Sequence, residues 1–303
     1  MNSIHVLLQH SIDYAGLFPP AGLGMQAAVE NCLQYRNGPD AWALGRFILP
    51  ATRLAEFESA VARTAAAGAR QPLALSILAG PNTTADLEQI TRFAHGSKDR
   101  VPGATVTAVE VKADSPELMA EAMRGVPPGI EVFFELPPQR DTAKLVAAAG
   151  ALSAGTKIRT GGVTADAFPS AAALSRFIHT CVDAGVPFKA TAGLHHAVRS
   201  EYPLTYEEGS SKGIMFGFLN LFFATAAAVS GVPEQTTRDI LEESTQTAFQ
   251  VDDGAIGWRT EHLDEKALRR ARGSLVSFGS CSFTEPIAEL QALGWLEPEM
   301  RRA

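Results

Sequence analysis

The stretch between residues 130 and 193 contains IEVFFELPP (130–138), TKIRTGG (156–162) and PFKATAG (187–193). These three short runs are rich in apolar and β-branched residues, and longer Ala-rich segments of helical period separate them. The runs predict strands and the segments between them predict helices. This alternation is typical of βα units arranged around a parallel sheet.

The same alternation extends towards the N-terminus, where three further runs predict strands: FILP (47–50), LALSILAG (73–80) and VTAVEVKA (106–113). We expect a first strand that leads into DYAGLFPP (13–20) and an eighth strand at GAIGWRT (254–260). Six strands could also form an open doubly wound sheet, but the GxGxxG turn typical of that fold is missing from the sequence. The sequence therefore predicts a single (β/α)8 barrel domain over residues 1–303.

The segments between the strands predict the helices of the barrel, and Ser, Thr or Asp stands near their starts, where N-caps are expected. The predicted helices are 52–67, 84–94, 116–123, 141–152 and 170–184. An extended helical segment at about 204–251 lies between the seventh and eighth predicted strands. Within it, the uncharged stretch 214–229 is shorter than the roughly 20 residues of a membrane span, and it predicts a buried helix. SFGSCSF (277–283) is interpreted as a packed turn.

The composition of the chain argues against some classes of function. The net charge of −7 and the scattered Lys and Arg residues argue against a nucleic-acid partner. Cys32, Cys181 and Cys281 show neither CxxC nor CxxH spacing, so no disulfide framework or cysteine zinc site is predicted. We expect a cytoplasmic protein without a membrane partner, with a small-molecule substrate and with homo-oligomer formation left open.

Strands buried on both faces should be apolar throughout, yet several predicted strands end in charged residues. These residues are Glu110, Lys112, Glu135, Lys157, Arg159 and Lys189. In a β/α barrel the carboxyl ends of the strands host the active site, so the charges are expected to converge on one pocket. Ion pairs at the barrel mouth, or lysines whose head groups stay in water, are the structural alternative.

The segment Lys157-Ile-Arg-Thr-Gly-Gly162, followed by Lys189-Ala-Thr-Ala-Gly193, resembles the deoxyribose-phosphate aldolase group of class I aldolases over about residues 106–199. In that family a KxxTG lysine forms a Schiff base, and a lysine on the next strand lowers its pKa. The resemblance implies that Lys157 is the nucleophile and Lys189 its activator. It also implies a carbon–carbon lyase activity on a small carbonyl or phosphorylated compound.

The resemblance extends to further positions of the predicted site. Glu135 stands where the family has a strand-five glutamate, and either Glu135 or Glu110 is expected to move protons. Lys112 stands in place of the family's proton-shuttling carboxylate, and Arg159 in place of a small hydroxyl residue. Thr160, Gly161, Gly162 and Gly193 are expected to bind substrate, with glycines that let a phosphate approach the backbone. Together with Lys112 and Arg159, these four residues are the predicted substrate-binding residues that follow or belong to the middle strands.

Two other groups of residues are candidates for binding a metal ion or a substrate. His195 and His196, with His10, Asp13 and Glu135, suit a divalent metal, although adjacent histidines usually point in different directions. Asp13 and Arg46 could orient a substrate, or could instead cap a turn and form an ordinary ion pair. The sequence has no organic-cofactor motif. A metal-assisted barrel enzyme and a non-catalytic ligand-binding or partner-binding barrel therefore stand as alternatives to the Schiff-base enzyme.

Overall fold

The computed structural model describes residues 3–64, 73–100, 103–137 and 141–297 of the chain. Strands and helices are numbered separately along the chain. The strands are β1 (Ile12–Tyr14), β2 (Leu44–Pro50), β3 (Leu73–Leu78), β4 (Ala104–Lys112), β5 (Glu131–Glu135), β6 (Gly155–Arg159), β7 (Phe188–Thr191), β8 (Ser200–Pro203), β9 (Lys212–Met215), β10 (Phe249–Asp252), β11 (Ala255–Trp258), β12 (Glu261–Asp264) and β13 (Leu275–Ser280). The helices are α1 (Ser3–Leu8), α2 (Met25–Arg36), α3 (Leu54–Thr64), α4 (Thr83–Arg100), α5 (Pro116–Gly125), α6 (Ala143–Ala151), α7 (Ala171–Asp183), α8 (Phe218–Val229), α9 (Glu234–Glu242), α10 (Glu265–Ser274) and α11 (Thr284–Ala292).

A closed barrel forms the centre of the structure, with strand order β1-β13-β7-β6-β5-β4-β3-β2. All neighbouring strands of the barrel run parallel. Helices connect successive strands of the barrel, as right-handed βα units require. The predicted fold class, a (β/α)8 TIM barrel, is confirmed.

The six middle strands form where the sequence predicts them, with ends that differ by up to three residues. β3, with the sequence LALSIL, is buried or half-buried along its whole length because helices cover its outer face and other strands its inner face. The predicted helices also form, although residues 65–67 of the first lie outside the described part of the chain. Ser115 and Ser170 cap α5 and α7 by accepting hydrogen bonds from the backbone N–H groups of Leu118 and Ala173.

The prediction of the eighth strand is wrong. GAIGWRT (254–260) supplies β11 of a separate antiparallel sheet, β10-β11-β12. The barrel is instead closed by β13, which pairs with both β7 and β1 and includes part of the stretch interpreted as a packed turn. Ser277, Gly279 and Ser280 give β13 a composition typical of a turn. The Ser277 hydroxyl donates a hydrogen bond to the buried carboxylate of Asp13, so a small polar residue is accommodated there.

The insertion between β7 and β13 is longer than the predicted segment 204–251. It contains the β8–β9 hairpin, α8, α9, the antiparallel sheet and α10. As predicted, α8 is a buried helix. The side chain of Asn220 joins α8 to the C-terminal end of α9: its amide donates to the carbonyls of Ile240 and Glu243 at 2.7 and 2.8 Å. Among the described residues, no helix has the length and apolar character needed to cross a membrane.

Phe278 tests the assignment of the closing strand. Its ring is fully buried and stacks on the ring of Phe218 with centroids 5.1 Å apart. We expect Phe278→Ala to lower the free energy of unfolding by roughly 3–5 kcal/mol, because a large side chain leaves a cavity in a packed core. Urea titration of the purified variant measures this change.

Leu118→Ala serves as the control, because Leu118 is 49% exposed and its truncation is expected to change the free energy of unfolding by only about 0.5 kcal/mol. Equal small losses in the two variants would contradict the closing role of β13.

Candidate functional site

The register of the barrel places four polar side chains in one layer. Lys112 on β4 pairs with Glu135 on β5, and Glu135 pairs with Lys157 on β6. Lys157 in turn pairs with Lys189 on β7. The charged strand ends seen in the sequence are therefore lateral neighbours, as expected for parallel strands of a barrel.

Glu110, buried on β4, joins the two lysines. Its Oε2 accepts a hydrogen bond from Lys157 Nζ at 2.6 Å, and its Oε1 accepts one from Lys189 Nζ at 2.7 Å. The Ser76 hydroxyl donates a further bond to Oε1 at 2.6 Å. One carboxylate is thus shared by two ammonium groups that come from different strands.

Asp13 on β1 is the second buried partner of Lys189. Its Oδ2 accepts from Lys189 Nζ at 2.6 Å, and its Oδ1 accepts from the backbone N–H of Arg46 at 2.8 Å. A Cβ atom at Gly45 would lie 2.5 Å from Oδ1, so the absence of a side chain at this position makes room for the carboxylate. Gly45 therefore supports the site without contacting a lysine.

Carboxylates and amines alternate along a continuous ion chain. In spatial order, its members are Asp13, Lys189, Glu110, Lys157, Glu135 and Lys112. The exposed fraction of the side chain rises from 0% at Lys189 to 11% at Glu135 and 80% at Lys112. The ion chain therefore leads from the barrel interior to solvent.

The structure corrects the expected effect of Lys189 on Lys157. Burial alone favours the neutral amine, but the charges of Glu110 and Glu135 outweigh burial and raise the pKa of Lys157 above its ordinary value. Burial likewise favours a protonated Glu110, yet Lys157 and Lys189 hold the pKa of this carboxyl well below its usual range. Lys157 is therefore an ammonium group between two carboxylates at neutral pH.

A cavity of about 270 Å³ opens at the carboxyl ends of the strands, and Lys157 and Glu110 contribute to its lining. Most of its wall is apolar or backbone. The other lining residues are Ala15, Phe18, Pro19, Pro20, Ile48, Leu78, Arg159, Gly162, Val163, Thr191, Ala192, Gly193, His195, Leu204, Met215, Gly279 and Cys281. The cavity therefore combines a charged group at its base with an apolar enclosure.

The predicted glycine and threonine positions have different roles around this cavity. Gly162 and Gly193 line it, whereas Gly161 packs against the ring of Phe168. The Thr160 hydroxyl donates to the carbonyl of Ala192 at 2.7 Å, which joins the segment after β6 to the segment after β7. Thr160 therefore holds the wall of the cavity in place.

Ala192 has a positive φ of 71° next to Gly193, whose φ is 74°. A left-handed conformation is unfavourable for alanine by about 1–2 kcal/mol, and such strain is concentrated at functional sites. The hydrogen bonds of Thr160 to this segment help maintain the strained turn.

Lys112, Asp13 and Arg46 are not part of the cavity wall. Lys112 is exposed, and Asp13 is buried against Lys189. The Arg46 guanidinium pairs at 2.7 Å with Glu131, the first residue of β5, and so it lies towards the opposite end of the barrel. Arg46 thus forms the ion pair that was the alternative to substrate binding, away from the cavity.

The two adjacent histidines face different surroundings. Burial, with a smaller effect from the neighbouring His196, lowers the pKa of His195 to about 4, so its ring is neutral at pH 7. The Nδ1 atom of His195 lies 3.2 Å from the Ser280 hydroxyl, whereas the His196 ring stacks on Tyr202 at 3.4 Å. Of the residues that the structure describes, no three His, Cys, Asp or Glu side chains are grouped to hold a metal ion.

Sequence reasoning missed the apolar wall of the cavity. Phe18 follows β1, Ile48 lies in β2 and Leu78 ends β3. Leu204 and Met215 come from the region of the β8–β9 hairpin. Apolar residues carry no chemical signature, so neither type nor spacing distinguishes them from core residues. The run Phe18-Pro19-Pro20, in the loop after β1, is the clearest usable signal, because the loops that follow barrel strands form the barrel mouth.

A larger groove of about 1140 Å³ lies beside α4 and α5 on the outer side of the barrel. It includes Lys112 but none of the buried members of the ion chain. The cavity over Lys157 is therefore the better candidate site, despite its smaller volume.

Glu110→Gln tests the energetic role of the shared carboxylate. It leaves two buried ammonium groups with one fewer counter-charge, and the free energy of unfolding at pH 7 is expected to fall by roughly 3–5 kcal/mol. Because the folded-state pKa of Glu110 is lowered, its stabilising contribution is present above the unfolded value and is lost as pH falls towards the folded value. The variant should therefore lose less stability than the wild type upon acidification below about pH 5.

Urea unfolding at pH 7 and at pH 4 measures both effects. Glu56→Gln, which removes an exposed ion pair with Arg53, is the control and should cost at most about 1 kcal/mol. Similar small losses in both variants would show that Glu110 does not hold the buried lysines together.

The comparisons with known proteins found no match for this chain. A scan against protein-family models found no match, and searches of curated proteins and of solved structures found none either. The chemistry of the chain is therefore inferred from the ion chain and the cavity above it.

Proposed function

We propose that the protein is a Schiff-base carbon–carbon lyase that acts on a small carbonyl compound, with Lys157 as its nucleophile. The observation that carries this proposal is the position of the Lys157 amine. It lines a partly open cavity and contacts two carboxylates, Glu110 and Glu135, at 2.6 and 2.7 Å. An amine beside a proton acceptor, facing a space of small-molecule size, is the arrangement that imine formation requires.

The amine has to lose a proton before it reacts, because only the neutral form is nucleophilic. Glu135 is the better acceptor, since it contacts Lys157 directly and its second partner, Lys112, is exposed and 3.8 Å away, whereas Glu110 accepts from two buried ammonium groups. The neutral amine then attacks the carbonyl carbon; the oxygen takes one proton from the attacking nitrogen and one from Glu135, and leaves as water. The ammonium and the carbonyl thus become an iminium ion and water, with no net gain or loss of protons.

The iminium ion is the electron acceptor for carbon–carbon bond cleavage. The electron pair of the breaking bond moves towards the iminium nitrogen, and a carboxylate accepts the proton of the hydroxyl that becomes a carbonyl. Protonation of the resulting enamine and hydrolysis by water release the second product and free Lys157. Each step uses groups of the ion chain, water and the substrate.

Lys189 acts as a positioning residue in this mechanism. Its side chain is fully buried, and it is not among the residues that line the cavity. It holds Glu110 at 2.7 Å and is itself held by Asp13 at 2.6 Å. Lys189 and Asp13 thus fix the Glu110 carboxylate that contacts Lys157.

Reductive trapping tests the nucleophile. Incubation with a small aldehyde or ketone and cyanoborohydride is expected to add the mass of one reduced adduct at Lys157, identified by peptide mass spectrometry. Lys157→Met should remove this adduct, while Lys212→Arg, a change at an exposed lysine of β9, should leave it intact. A label spread over exposed lysines, or one that persists in Lys157→Met, would refute the assignment.

The pH dependence of trapping tests the electrostatics. Because the pKa of Lys157 is raised, the neutral fraction of its amine and the trapping rate should increase as the solution becomes alkaline. Glu135→Gln removes one of the two carboxylates that raise this pKa, so the midpoint of the rise should move to lower pH even if the maximal rate falls. Glu131→Gln, at the other end of β5, is the control and should leave the midpoint unchanged. An unchanged midpoint in Glu135→Gln would contradict the mechanism.

A further inference from the structure

Arg159 contributes a positive charge to the lining of the cavity. It lies two residues after Lys157 on β6, and both residues line the cavity. Arg159 is exposed at the cavity mouth, and its guanidinium Nη2 approaches the carbonyl of Gly161 at 3.5 Å. In the part of the chain whose side chains the structure describes, no carboxylate lies within 4 Å of the guanidinium.

The other ionisable groups of the cavity wall leave this charge uncompensated. Glu110 is neutralised by Lys157 and Lys189, and Lys157 is shared between Glu110 and Glu135. His195 is neutral at pH 7 because burial lowers its pKa to about 4. The cavity therefore presents a net positive charge to a ligand, next to the amine that is proposed to react.

We infer that the substrate is a small 2-oxo carboxylic acid with an apolar substituent, whose carboxylate binds Arg159 while its keto carbon reacts with Lys157. This inference rests on the proposed Schiff-base function and specifies its substrate class. A guanidinium matches a carboxylate through two parallel hydrogen bonds, and an unpaired guanidinium is the natural partner for one.

The spacing of the two residues fits adjacent functional groups on one molecule. Residues two apart on a strand lie about 7 Å apart along it, and their side chains leave the same face. The long side chains of Lys157 and Arg159 can therefore reach neighbouring carbons of one ligand. A carboxylate bonded directly to the keto carbon meets this requirement, whereas a charged group at the far end of a long chain does not.

The wall opposite Arg159 selects the rest of the substrate. Phe18, Ile48 and Leu78 come from the first three βα units, and Leu204 and Met215 complete an apolar surface. Sugar hydroxyls would lose water there without gaining hydrogen bonds, which is unfavourable. The volume of about 270 Å³ lies near the lower end of the range for small-molecule sites, roughly 300–1,000 Å³, so the apolar substituent is small.

A lyase that uses such a site would cleave a 4-hydroxy-2-oxo acid. Lys157 forms a C–N bond at C2 and releases the keto oxygen as water. The C3–C4 bond then breaks, its electron pair moves into the C2–C3 enamine, and the C4 hydroxyl gives its proton to a carboxylate and becomes an aldehyde. Protonation of C3 and hydrolysis release a shortened 2-oxo acid.

The test compares matched probes in the trapping reaction. The probes are 4-methyl-2-oxopentanoate, the neutral ketone 4-methylpentan-2-one, in which a methyl group replaces the carboxylate, and glyceraldehyde 3-phosphate. We expect the oxo acid to half-saturate labelling of Lys157 at a concentration roughly ten-fold or more below that of the ketone, because a charge-assisted hydrogen bond contributes about that factor. Glyceraldehyde 3-phosphate should show no such advantage.

Arg159→Gln should raise the half-saturating concentration of the oxo acid roughly ten-fold and leave that of the ketone unchanged. Arg238→Gln, on the exposed face of α9, is the control and should change neither value. Equal saturation by the oxo acid in wild type and Arg159→Gln would overturn the substrate class, as would tighter saturation by glyceraldehyde 3-phosphate.

Calorimetry separates this inference from the proposed function. Lys157→Met cannot form an imine, yet Arg159 remains available to bind 4-methyl-2-oxopentanoate. If Lys157→Met binds the oxo acid and the double variant with Arg159→Gln does not, the carboxylate site is supported. If trapping fails with every probe, the lyase function alone is refuted. Labelling of Lys157 by all three probes, with no dependence on Arg159, would instead refute the substrate class alone.

Discussion

Glu110 is the residue on which the interior of this barrel depends. Two ammonium groups lie within 2.7 Å of its carboxylate, and each of them would be strongly unfavourable in a buried environment without that contact. Barrel interiors are usually filled by layers of branched apolar side chains. Here an ionic arrangement replaces part of such a layer, and the positions of Lys157 and Lys189 follow from their shared partner.

The shared carboxylate also sets the reactivity of the site. Two lysines in direct electrostatic contact would favour the neutral form of one another, as the resemblance to class I aldolases implies for Lys157. With Glu110 between them and Glu135 on the far side, the pKa of Lys157 moves in the opposite direction. Any nucleophilic role of Lys157 therefore requires transfer of its proton to a neighbour, which makes Glu135 as important as the lysine itself.

The sequence predicted those parts of the fold and site that carry a local signal. Six strands were recognisable because buried parallel strands are continuous apolar runs, and charged residues at their ends stood out against that background. β13 was missed because Ser277, Gly279 and Ser280 are typical of turns. The link between Glu110 and Lys189 spans 79 positions of the chain and depends on how the barrel closes. The space that Gly45 leaves for Asp13 is likewise set by packing rather than by any motif.

The β8–β9 hairpin has a consequence for how this protein can diversify. Leu204 and Met215 belong to the insertion between β7 and β13, while the ion chain is built on barrel strands β1, β4, β5, β6 and β7. Sequence changes in the hairpin region can therefore alter the shape of the cavity without disturbing the buried charges. The shape of the apolar part of the cavity can thus change independently of Lys157 and Arg159, which both lie on β6.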